Sequence, residues 1–136
     1  MNRQHQHGFS LLEMIVVLVI LGLAMGLVLA RGPLHSPRLD AQVAARDLAS
    51  ALRVARGRAI AEDRPVAVAL AGRVYQIEGS AARSVPSDVT LTGNEAIRFA
   101  PDGSSSGGVI VVQAAASRVA VLVDWLTGRV HTQEQP

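Results

Sequence analysis

The N-terminal quarter of the chain is a long apolar run that shows no periodicity. Between positions 9 and 30 only Ser10 and Glu13 are polar. As an α-helix this run spans roughly 33 Å, about the thickness of a bilayer core. A cleaved secretory signal has a shorter apolar core and a small-residue cleavage site, and neither is present here. The pattern predicts a membrane-spanning helix over residues 9–31.

The pattern changes to an amphipathic one after Gly32, Pro33 and Pro37, which punctuate the chain. Residues 38–62 carry apolar side chains on one face at a spacing of 3.6 residues, which predicts a helix that packs on a sheet. This apolar stripe consists of Ala41, Ala44, Leu48, Ala51, Leu52, Ala55 and Ala59. We assign residues 32–63 to the segment that leads into a globular domain at 64–136.

From Pro65 onward the period becomes two, which predicts short β-strands. The predicted strands are 66–70, 73–78, 89–92, 96–100, 109–114, 118–124 and 129–132. Residues 79–88 are predicted to be a polar loop, and the last residues, "HTQEQP", a frayed tail. The fold class is therefore α+β, with a long N-terminal helix followed by an antiparallel β domain.

Charge and composition exclude several classes of function. The formal net charge is only +2, and the basic residues are all Arg, interleaved with acids. Arg129 has no basic neighbours in the sequence, which disfavours a nucleic-acid footprint. Because the chain has no Cys, it has no disulfide framework, no thiolate nucleophile and no Cys-based zinc site.

Two patterns resemble catalytic or metal-binding motifs. Residues 103–107, "GSSSG", match the G-x-S-x-G pattern of hydrolases, but that motif requires a preceding strand, a following helix and a base within reach. Here a strand is predicted to follow, so a wide connection with positive φ at its glycines explains the residues better. His5 and His7 are spaced for a metal but lie in the short leader. We predict no enzyme activity, no cofactor and no metal site.

The letters "GFSLLE" at positions 8–13, followed by an apolar helix, resemble the prepilin processing signature of type IV pilins and type II secretion pseudopilins. The resemblance implies that a prepilin peptidase/methyltransferase removes leader residues 1–8 by cutting after Gly8. The new terminal Phe9 is then N-methylated. It also implies an assembly role for Glu13, whose carboxylate is expected to meet the terminal amine of a neighbouring subunit.

Two later stretches, "IRFAPDGSSSGGVIVV" and "VLVDWLTGRV", are similar to the C-terminal half of H-type minor pseudopilins of type II secretion. The resemblance implies two antiparallel sheets beside the helix and a position near the tip of the pseudopilus. There the subunit would link other minor pseudopilins to the major pseudopilin for export of folded periplasmic proteins. The Ser/Gly loop becomes a possible partner contact through Asp102, Gly103, Ser104, Ser105, Ser106, Gly107 and Gly108.

This resemblance further implies a single-pass inner-membrane protein with its C-terminal domain in the periplasm, in contact with the inner-membrane secretion platform. Two alternatives stay open. One is a minor pilin of type IV pili, some of which bind DNA, although no nucleic acid is expected here. The other is a membrane-anchored periplasmic enzyme, which lacks an identifiable catalytic group.

Overall fold

The computed structural model describes residues 10–30 and 36–135, and the chain divides into two units between residues 34 and 35. The first unit contains helix α1, Leu11–Ala30. The second contains helix α2, Pro37–Ala61, and eight strands. These are β1 Val66–Ala71, β2 Val74–Ile77, β3 Arg83–Ser84, β4 Val89–Gly93, β5 Ala96–Phe99, β6 Gly108–Ala114, β7 Ser117–Val123 and β8 Val130–Gln135.

Both predicted helices are present. α1 is apolar on all sides apart from Glu13 in its first turn, and it is long and apolar enough to cross a membrane. α2 begins with Pro37 in its first turn, where a missing N–H costs no hydrogen bond. It ends where Asp63 adopts a φ of +49° and the N–H of Arg64 donates to the carbonyl of Ala59 at 3.3 Å.

The strands form two antiparallel four-stranded sheets, with orders β3-β2-β1-β5 and β4-β6-β7-β8. Helix α2 packs against strands of both sheets. Its predicted alanine and leucine stripe is buried, and Ala45 and Ala49 join it. Small side chains on this face let the helix approach the sheets closely. The largest fully buried side chains are Phe99, Leu48, Leu52, Ile97, Ile110, Val66, Val68, Val89, Val112 and Val121.

Most predicted strands lie within one residue of the observed bounds, but two predictions are wrong. Residues 79–88 are not entirely loop, because β3 pairs Arg83 with Tyr75 and Ser84 with Val74. Two exposed residues carry no visible alternation, so only backbone pairing identifies this strand.

The C-terminal tail is the second correction. Strand β8 continues to Gln135, which pairs with Arg118 of β7. Glu134 also accepts hydrogen bonds from Arg38 and Gln42 of α2. The side chains after Val130 are exposed, so hydrophobic alternation could not reveal the strand.

Candidate functional site

The N-terminal site begins at the edge of the described residues. Gly8 and Phe9, the predicted processing residues, lie outside them, as do His5 and His7. At the start of α1, the hydroxyl of Ser10 accepts a hydrogen bond from the backbone N–H of Glu13 at 3.2 Å. Ser at the N-cap with Glu three residues later is the capping-box pattern, which the sequence analysis missed. The two polar residues of the apolar run therefore meet at the helix start.

Glu13 is the only Asp, Glu, Lys or Arg in α1, and no residue of this helix is buried. A carboxylate in the first turn is favourable for the helix dipole, which gives Glu13 a local role. A charge that faces the hydrocarbon of a membrane costs roughly 2.5–3.5 kcal/mol. The local role at the helix start does not require Glu13 to occupy such a position.

The Ser/Gly loop, residues 102–108, is held by its own polar groups. One carboxylate oxygen of Asp102 accepts hydrogen bonds from the hydroxyl of Ser104 at 2.6 Å and from its backbone N–H at 2.9 Å. These two bonds hold the pKa of Asp102 below its ordinary value. The φ values of Gly103, Gly107 and Gly108 are +85°, +67° and +146°, as the predicted wide connection requires.

Ser105, the serine in the hydrolase-like pattern, fastens this loop to the turn after β7. Its hydroxyl donates to the carbonyl of Asp124 at 2.9 Å and accepts from the N–H of Gly107 at 3.0 Å. Its backbone N–H donates to the carbonyl of Trp125 at 2.9 Å. A strand, β6, follows the loop where a hydrolase elbow has a helix. The geometry gives Ser105 a structural role.

Only part of the predicted partner-contact loop is accessible. Asp102 and Ser106 are exposed, whereas Gly103 and Gly107 are buried and the rest are half-buried. Ser106 also binds β5, because its hydroxyl accepts from the N–H of Arg98 at 3.2 Å. The loop therefore offers a small surface, with most of its polar groups already satisfied.

The turn from Asp124 to Arg129 also presents an accessible surface; it lies in a stretch that resembles the family but was not among the predicted contact residues. Asp124 accepts hydrogen bonds from the N–H of Thr127 at 2.7 Å, its hydroxyl at 2.9 Å and the N–H of Leu126 at 3.0 Å. The bonds from Thr127 hold the pKa of Asp124 below its ordinary value. Trp125 and Leu126 project from this turn with 67% and 63% of their surfaces exposed.

One residue of helix α2, Arg56, lies against both the Ser/Gly loop and the turn from Asp124 to Arg129. The Nε of Arg56 donates to the carbonyl of Gly103 at 2.9 Å. Gly128, with a φ of +61°, lies so close that an added Cβ would overlap that same carbonyl oxygen. Three segments distant in sequence thus converge, and only glycine fits at position 128.

The prediction that Arg129 has no basic neighbours is correct for the sequence. It is wrong for the folded chain. Arg129 lines one pocket with Arg53 and Arg56 of α2 and with His131. Sequence reasoning missed this cluster because its members are separated by about seventy residues. A signal existed, since Arg53 and Arg56 are three apart and so share a helix face.

The prokaryotic N-terminal methylation motif matches residues 3–29, and the family "Type II transport protein GspH" matches residues 44–127. A curated relative, type II secretion system protein H of Xanthomonas campestris pv. campestris, is 32% identical over 145 residues, covering 96% of this chain and 85% of the relative. The chain belongs to the GspH family. It is thus an H-type minor pseudopilin of type II secretion.

Two solved structures share the fold of this chain. The minor pseudopilin EpsH from the type 2 secretion system of Vibrio cholerae has a TM-score of 0.60 at 9% identity, covering 70% of this chain and 97% of EpsH. The type IV minor pilin FimU of Pseudomonas aeruginosa has a TM-score of 0.58 at 18% identity, covering 73% and 90%. At these identities the likeness concerns the fold alone.

Membership in the GspH family carries several coarse conclusions. The relatives are structural pseudopilins. The family and the methylation motif imply assembly with other pseudopilins and processing by a prepilin peptidase. The apolar α1 is consistent with anchoring in the inner membrane.

Proposed function

We propose that this GspH-family subunit lies near the tip of the type II secretion pseudopilus and links the other minor pseudopilins to the major pseudopilin below. In this role it is a non-enzymatic part of the machine that exports folded periplasmic proteins. The observation that carries the proposal is the single carboxylate, Glu13, in the otherwise apolar α1. Within residues 10–30 and 36–135 no cation forms a salt bridge with this carboxylate, and a filament would supply one from a neighbouring subunit.

The proposed chemistry begins with processing. Cleavage after Gly8 creates a cationic amine on Phe9, which remains cationic after methylation. In a staggered filament, the amine of a neighbouring subunit meets the carboxylate of Glu13. An unpaired buried charge carries a desolvation penalty of several kcal/mol, whereas a matched pair offsets most of it. Glu13 thereby disfavours every register that does not supply an amine.

We assign residues 9–31 to the membrane and filament-core helix, 32–63 to the helical segment that follows and 64–136 to the periplasmic β domain. Arg3 in the leader supports a cytoplasmic N-terminus by the positive-inside tendency, although Arg31 at the other end of the run weakens this bias. The inner-membrane secretion platform would then contact the cytoplasmic end before assembly.

Replacing the carboxylate tests the proposal. Glu13→Leu should still be inserted and cleaved, but it should not enter the pseudopilus, and secretion should fall. Because the chain has no Cys, a single Cys introduced at Leu18 forms a unique cross-link with a Cys in the major pseudopilin helix. Cross-link yield then reports entry into the filament.

Two further variants serve as controls in this experiment. Met14→Leu changes the adjacent apolar residue and should cross-link normally. Glu13→Gln keeps a polar side chain without the charge and should behave like Glu13→Leu. Undiminished cross-linking in Glu13→Leu would show that the carboxylate does not meet a neighbour's amine, leaving peptidase recognition or helix capping as its role.

The alternative of a type IV minor pilin, left open by the sequence, has the same fold, but the likeness to FimU at 18% identity concerns the fold alone. The GspH match and the type II secretion relative favour the pseudopilus. Deleting the gene separates the two: loss of protein export with intact pilus-dependent motility supports secretion, and the reverse supports the pilus.

A further inference from the structure

The pocket lined by Arg53, Arg56, Gly128, Arg129, Val130 and His131 has a volume of about 230 Å³, and we call it the cationic pocket. Three arginines are among its six lining residues. Two are positioned by backbone carbonyls, because Arg56 donates to Gly103 at 2.9 Å and Arg53 to Val130 at 3.4 Å. A guanidinium has five N–H groups, so most donors on each side chain stay available.

In the part of the chain that the structure describes, no salt bridge joins the arginines of the cationic pocket to a carboxylate, although Asp124 interacts electrostatically with His131 at its edge. Within residues 10–30 and 36–135, the salt bridges involve Arg38 and Arg64, and no Asp or Glu oxygen lies within salt-bridge distance of Arg53, Arg56 or Arg129. Three positive charges held together without a carboxylate repel one another. An external anion would relieve this repulsion, and carboxylates fit the planar fork of Arg in bidentate fashion.

An apolar surface adjoins the cationic pocket. A groove of about 600 Å³, which we call the apolar groove, is lined by Trp125, Val109, Leu122 and other residues, and His131 borders both it and the cationic pocket. Trp125 and Val109 are 67% and 41% exposed there, and Leu126, which follows Trp125 on the same turn, is 63% exposed. Trp and Arg are the residues that most often dominate the energy of protein–protein interfaces.

These observations favour a polypeptide over a nucleic acid. Nucleic-acid binding usually requires an extended track of cations along the phosphate backbone, whereas three arginines share one small pocket here. Asp124 lies on the same turn and stays anionic, because Thr127 donates two hydrogen bonds to its carboxylate. Because Asp124 lines the apolar groove, its negative charge would repel a polyanion there, and a single carboxylate binds in the cationic pocket while the groove takes an apolar side chain.

We infer that the cationic pocket and the apolar groove together bind a segment of another protein that presents a carboxylate beside an apolar side chain. The carboxylate binds Arg53 and Arg129, and the apolar side chain packs against Trp125. The assignment of this segment to a neighbouring filament subunit rests on the proposed function. The chemistry by which the segment binds does not depend on that function.

The test uses the purified full chain in a non-ionic detergent and measures fluorescence anisotropy. The probe is a fluorescein-labelled, C-terminally amidated peptide, Gly-Ser-Gly-Glu-Leu-Gly-Ser-Gly, and its counterpart has Gln in place of the single Glu. We expect saturable binding of the acidic peptide and binding weaker by about tenfold for the Gln peptide. The assay contains no other pseudopilin, so failure of the filament role would not affect it.

The variants separate the pocket from general electrostatics. Arg53→Gln combined with Arg129→Gln should weaken binding of the acidic peptide by at least about tenfold, and Trp125→Ala by several-fold. Arg56 is left unchanged because it supports the Ser/Gly loop. Arg118→Gln removes an exposed arginine at the opposite end of β7 and should leave binding unchanged. Circular dichroism verifies that each variant is folded.

Several outcomes would overturn the inference. Absence of saturable binding, or equal binding of both peptides, would remove the carboxylate site. Equal weakening by Arg118→Gln would indicate non-specific attraction. Tighter binding of a 12-nucleotide single-stranded DNA, lost in the Arg53/Arg129 variant, would identify a nucleic-acid site. Dimerisation of the chain that the same variant abolishes would identify a second copy as the occupant.

Discussion

The two helices have similar lengths, 20 residues in α1 and 25 in α2, but very different surfaces. In α1 no residue is buried, and the large apolar side chains are between 44% and 81% exposed. In α2 nine residues form a buried stripe. A helix that is apolar on all sides needs partners all round it, whereas a striped helix needs one packing surface. The packing partners of α2 lie in the two sheets, whereas none of the residues in α1 is buried.

The largest expected effect concerns the release of α1 from its leader. Gly8→Val places a branched side chain beside the bond that the peptidase must approach, so full-length protein should accumulate in the membrane. Intact-mass spectrometry measures the leader directly. Gly22→Ala is the control, because an added Cβ at position 22 meets nothing within 4 Å in the chain. Normal mature mass in Gly8→Val would contradict the proposed cleavage.

The second prediction compares the two helices by making the same Leu→Ala substitution in each. Leu52 of α2 is 0% exposed and Leu18 of α1 is 65% exposed. Leu52→Ala should lower the free energy of unfolding of the second unit by about 2–5 kcal/mol, since it leaves a cavity. Leu18→Ala should change it by less than about 0.5 kcal/mol.

Urea unfolding followed by circular dichroism in detergent provides this measurement. If Leu52→Ala and Leu18→Ala lowered the free energy of unfolding equally, α1 would contribute to the stability of the second unit. The proposed contrast between the two helices would then be wrong.

The third prediction concerns the loop that α2 supports through Arg56. Ser105→Ala removes the hydroxyl that joins Asp124 and Gly107, and it should lower the free energy of unfolding by about 1 kcal/mol. Secretion should persist at normal protein level, because no nucleophile is involved. Ser87→Ala changes an exposed serine and should have almost no effect. Loss of secretion in a normally folded Ser105→Ala protein would support the enzyme alternative.

The smallest effect is expected where α2 meets β8. Arg38 and Gln42 hydrogen-bond to Glu134, which holds the pKa of Glu134 below its ordinary value of 4.5. A lowered folded-state pKa stabilises the fold above the unfolded-state pKa, and this contribution is lost as the pH falls through the folded-state value. Glu134→Gln should therefore reduce the acid sensitivity of unfolding.

Urea midpoints at about pH 7 and about pH 3 measure this acid sensitivity. Both partners are exposed, so added salt should diminish the difference. An unchanged pH dependence in Glu134→Gln would show that the contact to Arg38 does not stabilise the C-terminal strand.

The local pattern of apolar and polar residues was sufficient to predict those helices and strands in which buried positions recur at a regular spacing. The apolar run determined α1, the 3.6-residue stripe determined α2, and alternation determined most strands, since each pattern reports which side of an element faces water. The prepilin-like motif identified Glu13 as the residue of interest in the same way, because a lone carboxylate contrasts with its surroundings.

Only the tertiary structure revealed the features that depend on contacts between residues far apart in the sequence. Strands β4 and β5 are adjacent in sequence yet belong to different sheets, and β3 and the end of β8 exist only through their paired neighbours. The cationic pocket likewise forms because the close contact at Gly128 brings the turn carrying Arg129 onto α2. Such contacts join residues far apart in the chain, and no local periodicity encodes them.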